Sequence, residues 1–113
     1  MKIRIKDFEF EIIEVEDNDE NFVKNGNLVL YGQTNFIEQK IKIYKNLTDV
    51  RKRKTLIHEM THAFCDVYLQ SQHVKDRFNE EDICCFMASY SEDIIRIVDD
   101  YLKRWGESVG GKR

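Results

Sequence analysis

The segment HEMTH, residues 58–62, constrains this chain more than any other part of the sequence. It matches the pattern His-Glu-x-x-His, and on an α-helix two histidines four residues apart lie on the same face. Imidazoles placed in this way can hold one zinc ion, with the intervening glutamate beside the open coordination position. Because zinc activates water for attack on a carbonyl, the pattern predicts hydrolysis, most often of a peptide bond.

The hydrophobic pattern around the motif also predicts a helix. It runs from about residue 48 to 70, and Thr48 or Asn46 is expected as its N-cap. His58 and His62 project from one side, and the apolar residues cluster on the opposite side: Leu56, Ile57, Met60, Ala63, Phe64 and Val67. The alternative interpretation is a pair of solvent-facing histidines that bind no metal.

Zinc needs a third protein ligand. The metzincin pattern would place a histidine six residues after His62, where this chain has Tyr68, so that class is excluded. His73 lies in a polar connection and is the weaker candidate. The acidic run 80–82, which opens the next predicted helix, is the better source. The run is also explained by the preference for acidic residues in the first turn of a helix.

Helical phase favours Glu80 within that run. It precedes Ile83 by three residues and Met87 by seven, so it is expected to share their inward face, whereas Glu81 stays an alternative. The metal site is thus predicted as His58, His62 and Glu80.

The expected catalytic residue is Glu59, which takes a proton from the zinc-activated water as general base. Four residues are candidates for the donor that stabilises the oxyanion, and the sequence does not rank them: Tyr31, Tyr68, Tyr90 and His73. Asp66 either supports His62 or is a surface acid. The adjacent Cys84 and Cys85 are expected to be buried, reduced thiols without a metal role.

The rest of the chain predicts an α+β domain with a small antiparallel sheet. Residues 2–15 alternate in polarity and predict a hairpin, with a turn near Asp7 and a bulge or strand end near Ile13. A short strand is expected at 28–31, a turn at 32–35, and an edge strand at 37–44 with Ile37, Ile41 and Ile43 inward. A polar loop at 16–27 lacks the glycine and glutamate of a calcium loop.

A second helix is expected from 80, with Asn79 as N-cap and Gly106 at its end, followed by a disordered tail at 107–113. The 113 residues fit a single domain, here 1–106. A net charge of −3 gives no general basic field, and the basic run 51–54 is interpreted as a solvated helix face rather than a nucleic-acid site. The sequence shows no signal peptide and no membrane span, so a cytoplasmic location is expected.

The runs TLIHEMTHAF and NEEDICCFMA resemble the ImmA/IrrE-like zinc metallo-endopeptidases of bacteria and phages. The similarity covers roughly residues 28–90 and implies a zincin-like fold. It also implies zinc ligands at His58, His62 and Glu80, Glu59 as catalyst, and an origin in a phage or mobile element.

The strand–turn–strand sequence ahead of the motif is similar to the edge strand along which such peptidases bind substrate. It implies a protein or peptide partner along residues 37–44. A catalytically silent binding protein that docks a partner on this edge strand is the alternative function. Nucleic acid and membrane are not expected as partners.

Overall fold

The computed structural model of the protein describes residues 1–16, 23–24, 28–29, 31–69 and 79–108. Within these residues the elements follow the order β1 (Lys2–Ile5), β2 (Phe8–Val15), β3 (Val23–Lys24), β4 (Leu28–Val29), β5 (Gly32–Asn35), β6 (Lys40–Tyr44), α1 (Asp49–Leu69) and α2 (Glu80–Ser108). The predicted α+β class is therefore confirmed.

The main sheet has the strand order β1-β2-β6-β5, and β3 pairs with β4 in a separate two-stranded sheet. β1 and β2 form the predicted hairpin, in which Ile5 faces Phe8 across a turn at Lys6 and Asp7. β2 and β6 run parallel, so the prediction of an antiparallel sheet is wrong and the sheet is mixed. Parallel neighbours need a long connection, and here the chain between β2 and β6 includes three other strands.

Residues 32–35 form strand β5 rather than the predicted turn, and the turn lies at 36–39. The strand predicted at 37–44 is present as β6 at 40–44, but its predicted edge position is wrong. β6 lies between β2 and β5, and the edge strands of the sheet are β1 and β5. Ile41 and Ile43 are fully buried as predicted, but Ile37 in the turn is 95% exposed. β5 has the polar sequence GQTN and no hydrophobic alternation, which is why its pattern resembles a turn.

Strand β2 continues through Ile13 to Val15 without the predicted break. The shift in polarity there has another cause, because Glu14 takes part in a largely buried polar contact. Its carboxylate accepts hydrogen bonds from the Lys52 ammonium at 3.1 Å and from the Tyr101 hydroxyl at 2.6 Å. Lys52 is only 2% exposed, so this contact ties β2 to both helices inside the protein.

Both helices begin at their predicted caps. The backbone N–H of Arg51 donates to Thr48 Oγ1 at 3.3 Å, which makes Thr48 the N-cap of α1. At the start of α2, the N–H of Asp82 donates to Asn79 Oδ1 and the N–H of Asn79 donates to Asp82 Oδ2. α2 continues past Gly106 to Ser108, so its predicted end is wrong by two residues.

The core lies between the sheet and the two helices, and its buried side chains include Phe10, Ile12, Ile41, Ile43, Leu56, Met60 and Val98. Across the described ranges, neither helix is long and apolar enough to cross a membrane. Residues 17–22, 25–27, 30, 70–78 and 109–113 lie outside the described residues. Most of the predicted loop at 16–27 and of the predicted tail at 107–113 falls within these gaps.

Candidate metal centre

The two histidines of the motif lie side by side on the exposed face of α1. His58 and His62 have ring centroids 4.8 Å apart with the ring planes at 79° to each other. Leu56, Met60, Ala63 and Phe64 are buried on the other side, so the predicted division of the helix is confirmed. Two exposed imidazoles one helical turn apart are a donor pair that fits a zinc ion.

Glu59 is held in a different environment from its two histidine neighbours. It is only 7% exposed, and its Oε1 accepts a hydrogen bond of 2.7 Å from the hydroxyl of Thr34 on β5. The same hydroxyl lies 3.1 Å from the backbone carbonyl oxygen of Glu59. Among the described residues Glu59 Oε2 has no hydrogen-bond donor, so this oxygen is free to exchange a proton with a bound molecule.

The close approach of β5 to α1 requires a glycine at position 32. A Cβ atom there would lie 2.7 Å from Thr55 Cγ2 and 3.0 Å from Glu59 Cγ. These distances are shorter than ordinary carbon–carbon contacts. The small Gly32 therefore lets the edge strand lie directly against the part of α1 that carries Glu59. Neither this contact nor the hydrogen bond of Thr34 could be predicted from a local pattern, because both join segments about 25 residues apart.

A cleft of about 520 Å³ opens between the start of β5 and the first half of α1. Its walls include Tyr31 and Gly32 from the β5 side and Arg51, Lys54, His58 and Glu59 from α1. The predicted base and one predicted zinc ligand thus line the same cleft.

The candidate oxyanion donors differ in their position relative to the cleft. Tyr31 is 45% exposed and lines the cleft, where the Arg51 guanidinium lies 4.7 Å from the centre of its ring. Tyr68 and Tyr90 instead stack on each other with ring centroids 4.4 Å apart, and burial is the main cause that raises the pKa of Tyr68. His73 lies outside the described residues. Among the three described candidates, Tyr31 is therefore the one that lines the cleft.

The structure does not bring Glu80 to the two histidines. The contacts Arg53–Asp99 and Tyr68–Tyr90 show that α1 and α2 run antiparallel. Glu80 precedes Tyr90 by ten residues and His62 precedes Tyr68 by six, so the two lie on opposite sides of the tyrosine stack. At 1.5 Å per residue their separation along the helices is on the order of 20 Å.

The described part of the chain contains no group of three His, Cys, Asp or Glu side chains placed to hold one metal ion. The prediction that Glu80 shares an inward face with Ile83 and Met87 is wrong, because these two side chains are 49% and 50% exposed. The inward stripe of α2 contains Phe86, Ile94 and Val98 instead. Glu80 as third ligand, with Glu81 as its alternative, stays a prediction.

The cysteines differ in part from expectation. Cys84 and Cys85 are free thiols as predicted, but both are exposed, since they fall outside the inward stripe of α2. Asp66 is half-buried one turn after His62, and among the described side chains no hydrogen bond joins the two residues. The described residues thus supply two candidate ligands, an oriented carboxylate and a cleft.

Models of known protein families, the curated proteins and the solved structures were all compared with this chain, and none of them matches it.

Proposed function

We propose that this protein is a zinc-dependent metallopeptidase of zincin-like fold, in which His58 and His62 hold the metal and Glu59 is the general base. Glu80 stays the predicted third ligand, and it reaches the histidines only if α2 takes a position other than the one described above. The observation that carries the proposal is the placement of Glu59. It is buried beside an exposed histidine pair, hydrogen-bonded to the edge strand, and open to a cleft on its other side. A solvent-facing histidine pair without function gives no reason for an oriented carboxylate between them.

Zinc bound at the histidines would supply an activated water and polarise the carbonyl of the peptide bond. The protein side chains transfer the proton and stabilise the developing negative charge. Glu59 accepts a proton at Oε2 and returns it to the leaving amine, while Thr34 fixes the carboxylate through Oε1. Tyr31, at the open wall of the cleft, donates a hydrogen bond to the oxygen that becomes negatively charged.

The edge position of β5 supports a peptide as the substrate. A strand at the edge of a sheet has unpaired backbone groups that an extended peptide can join as a further strand. The peptide would then lie beside Glu59, because Thr34 and Gly32 of β5 both contact that residue. The substrate strand proposed here is β5, which replaces the predicted strand 37–44.

The test combines zinc content with hydrolysis of an unstructured protein such as casein. Wild type should bind one zinc per chain, and Glu59→Gln should keep the zinc but lose at least about a hundredfold in activity, as removal of a general base does. Thr34→Val should retain zinc and lose less activity than Glu59→Gln. Its undisturbed fold can be checked by circular dichroism.

Variants of the third ligand complete the experiment. If Glu80 reaches the metal, Glu80→Gln should lose zinc and Glu81→Gln should retain it; loss in Glu81→Gln alone would assign the third ligand to Glu81. Retention of zinc in both variants would show that neither residue is the third ligand. If wild type takes up no zinc after reconstitution, the metallopeptidase proposal is wrong. A silent binding protein that docks a partner on β5 would then explain the cleft better.

A further inference from the structure

The four consecutive basic residues of α1 have two different environments. Lys52 pairs with Glu14 inside the protein, and Arg53 pairs with Asp99 on α2. Arg51 and Lys54 both line the cleft, and neither has a carboxylate within ion-pair distance among the described residues. The chain as a whole is acidic, with a net charge of −3, so two cations without a described carboxylate partner at one end of the cleft are a local feature.

These two cations belong to the same helix face as the histidines. Lys54 precedes His58 by one turn and Arg51 precedes it by two. At 1.5 Å per residue, they lie about 6 Å and about 10 Å from the level of His58 along α1. An extended peptide advances about 3.3 Å per residue, so this distance corresponds to two or three residues of substrate.

We propose that the cleft selects peptides with a carboxylate two or three residues from the bond to be cleaved, held by Arg51 and Lys54. The inference deepens the proposed peptidase function and rests on it for the position of that bond. The carboxylate is an acidic side chain or the free carboxyl terminus of a short substrate, since either has the same charge and geometry.

The direction of β5 decides on which side of the bond the carboxylate lies. Arg51 lies over Tyr31, Gly32 meets Thr55, and Thr34 donates to Glu59, so β5 and α1 advance in the same direction. A peptide that joins β5 antiparallel, the commoner pairing, runs from Glu59 towards Arg51. Its carboxylate is therefore on the C-terminal side of the bond.

The flexible side chain of Arg51 is already oriented. Its guanidinium lies over the Tyr31 ring at 4.7 Å from the ring centre, a cation–π contact at the wall of the cleft. Stacking in this manner leaves the N–H groups at the edge of the guanidinium available for a carboxylate. Lys54 is exposed and adds a second donor one turn nearer to His58.

The test uses metal-free protein, so that binding is measured apart from catalysis. Fluorescence anisotropy would compare a labelled ten-residue peptide that has glutamate at the third position after its centre with three others. One has glutamine at that position, one has the glutamate at the mirrored position before the centre, and one ends there with a free carboxylate. The acidic peptide should bind about fivefold to tenfold more tightly than the glutamine peptide, the size expected for two partly solvated ion pairs.

The double variant Arg51→Gln/Lys54→Gln should abolish that difference. Its matched control is Lys103→Gln/Arg104→Gln, which removes the same charge from exposed positions on α2 and should leave the difference intact. Equal affinity for the acidic and glutamine peptides, or an unchanged preference in the double variant, would overturn the inference. Tighter binding of the mirrored peptide would overturn the antiparallel orientation. Tight binding of the peptide that ends in a free carboxylate would show that Arg51 and Lys54 also bind the carboxyl terminus of a substrate.

Cleavage of the same peptides by zinc-loaded protein separates this inference from the proposed function. Equal cleavage of acidic and neutral peptides would support the peptidase function and refute the selection of a carboxylate. Selective binding without any cleavage would support the carboxylate site and refute the peptidase.

Discussion

Replacement of Gly32 by alanine tests the contact that positions the candidate base. The added Cβ would lie 2.7 Å from Thr55 Cγ2, 3.0 Å from Glu59 Cγ and 3.3 Å from the Lys42 carbonyl oxygen. Favourable carbon–carbon contacts need about 3.5–4.0 Å, so β5 must move away from α1 by several tenths of an ångström or more. Thr55 and Glu59 are buried and Lys42 O is backbone, so the neighbours have little freedom to yield.

The cost follows from two opposing contributions. Overpacking of this kind destabilises proteins by about 1–3 kcal/mol. Alanine also restricts the unfolded chain more than glycine does, which returns about 0.5–1 kcal/mol within a strand. We therefore expect Gly32→Ala to lower the free energy of unfolding by about 1–2 kcal/mol, measured by urea denaturation.

A double-mutant cycle with Thr55→Ser identifies the cause. Serine lacks the Cγ2 atom that makes the shortest contact, at 2.7 Å. The double variant should therefore be more stable than the sum of the single effects predicts, by about 0.5–1 kcal/mol. Strict additivity, or a Gly32→Ala protein as stable as wild type, would refute the argument that β5 and α1 meet at a fixed distance. Gly32→Ala should also reduce hydrolysis, because it shifts the Thr34–Glu59 hydrogen bond.

Two further predictions concern stability. Burial, followed by the hydrogen bond to Glu14, raises the pKa of Tyr101, so the folded protein keeps this proton when the unfolded chain loses it at about pH 10. The contribution of Tyr101 to the free energy of unfolding is complete below about pH 10 and falls above it by up to about 1.4 kcal/mol per pH unit. Tyr101→Phe should therefore remove this part of the loss of stability between about pH 10 and 11. An unchanged loss of stability in the variant would contradict the assignment to Tyr101. Lys6 has a φ of 56°, a left-handed conformation that favours glycine, so Lys6→Gly should stabilise the hairpin turn by up to about 1 kcal/mol in thermal unfolding. Asp7→Gly is the control, and an equal gain there would show that the conformation of Lys6 is not the cause.

The sequence alone determined the features that depend on local spacing. The positions of the two histidines on the solvent side of α1 follow from helical periodicity, and their exposure confirms it. The caps Thr48 and Asn79 were predictable because capping is a contact between residues at most three apart. The β1–β2 hairpin was predictable because its two strands follow each other in the sequence and alternate in polarity.

The tertiary structure alone decided how distant segments meet. No local pattern shows that a polar tetrapeptide becomes the edge strand, since Gly32 and Thr34 are fixed there by α1 rather than by hydrophobic alternation. The parallel pairing of β2 with β6 is equally non-local, and so is the contact of Glu14 with Lys52, 38 residues away. The candidate base is set in the same manner: the sequence located Glu59, whereas its burial and its hydrogen bond depend on a strand that reaches it only when the chain is folded.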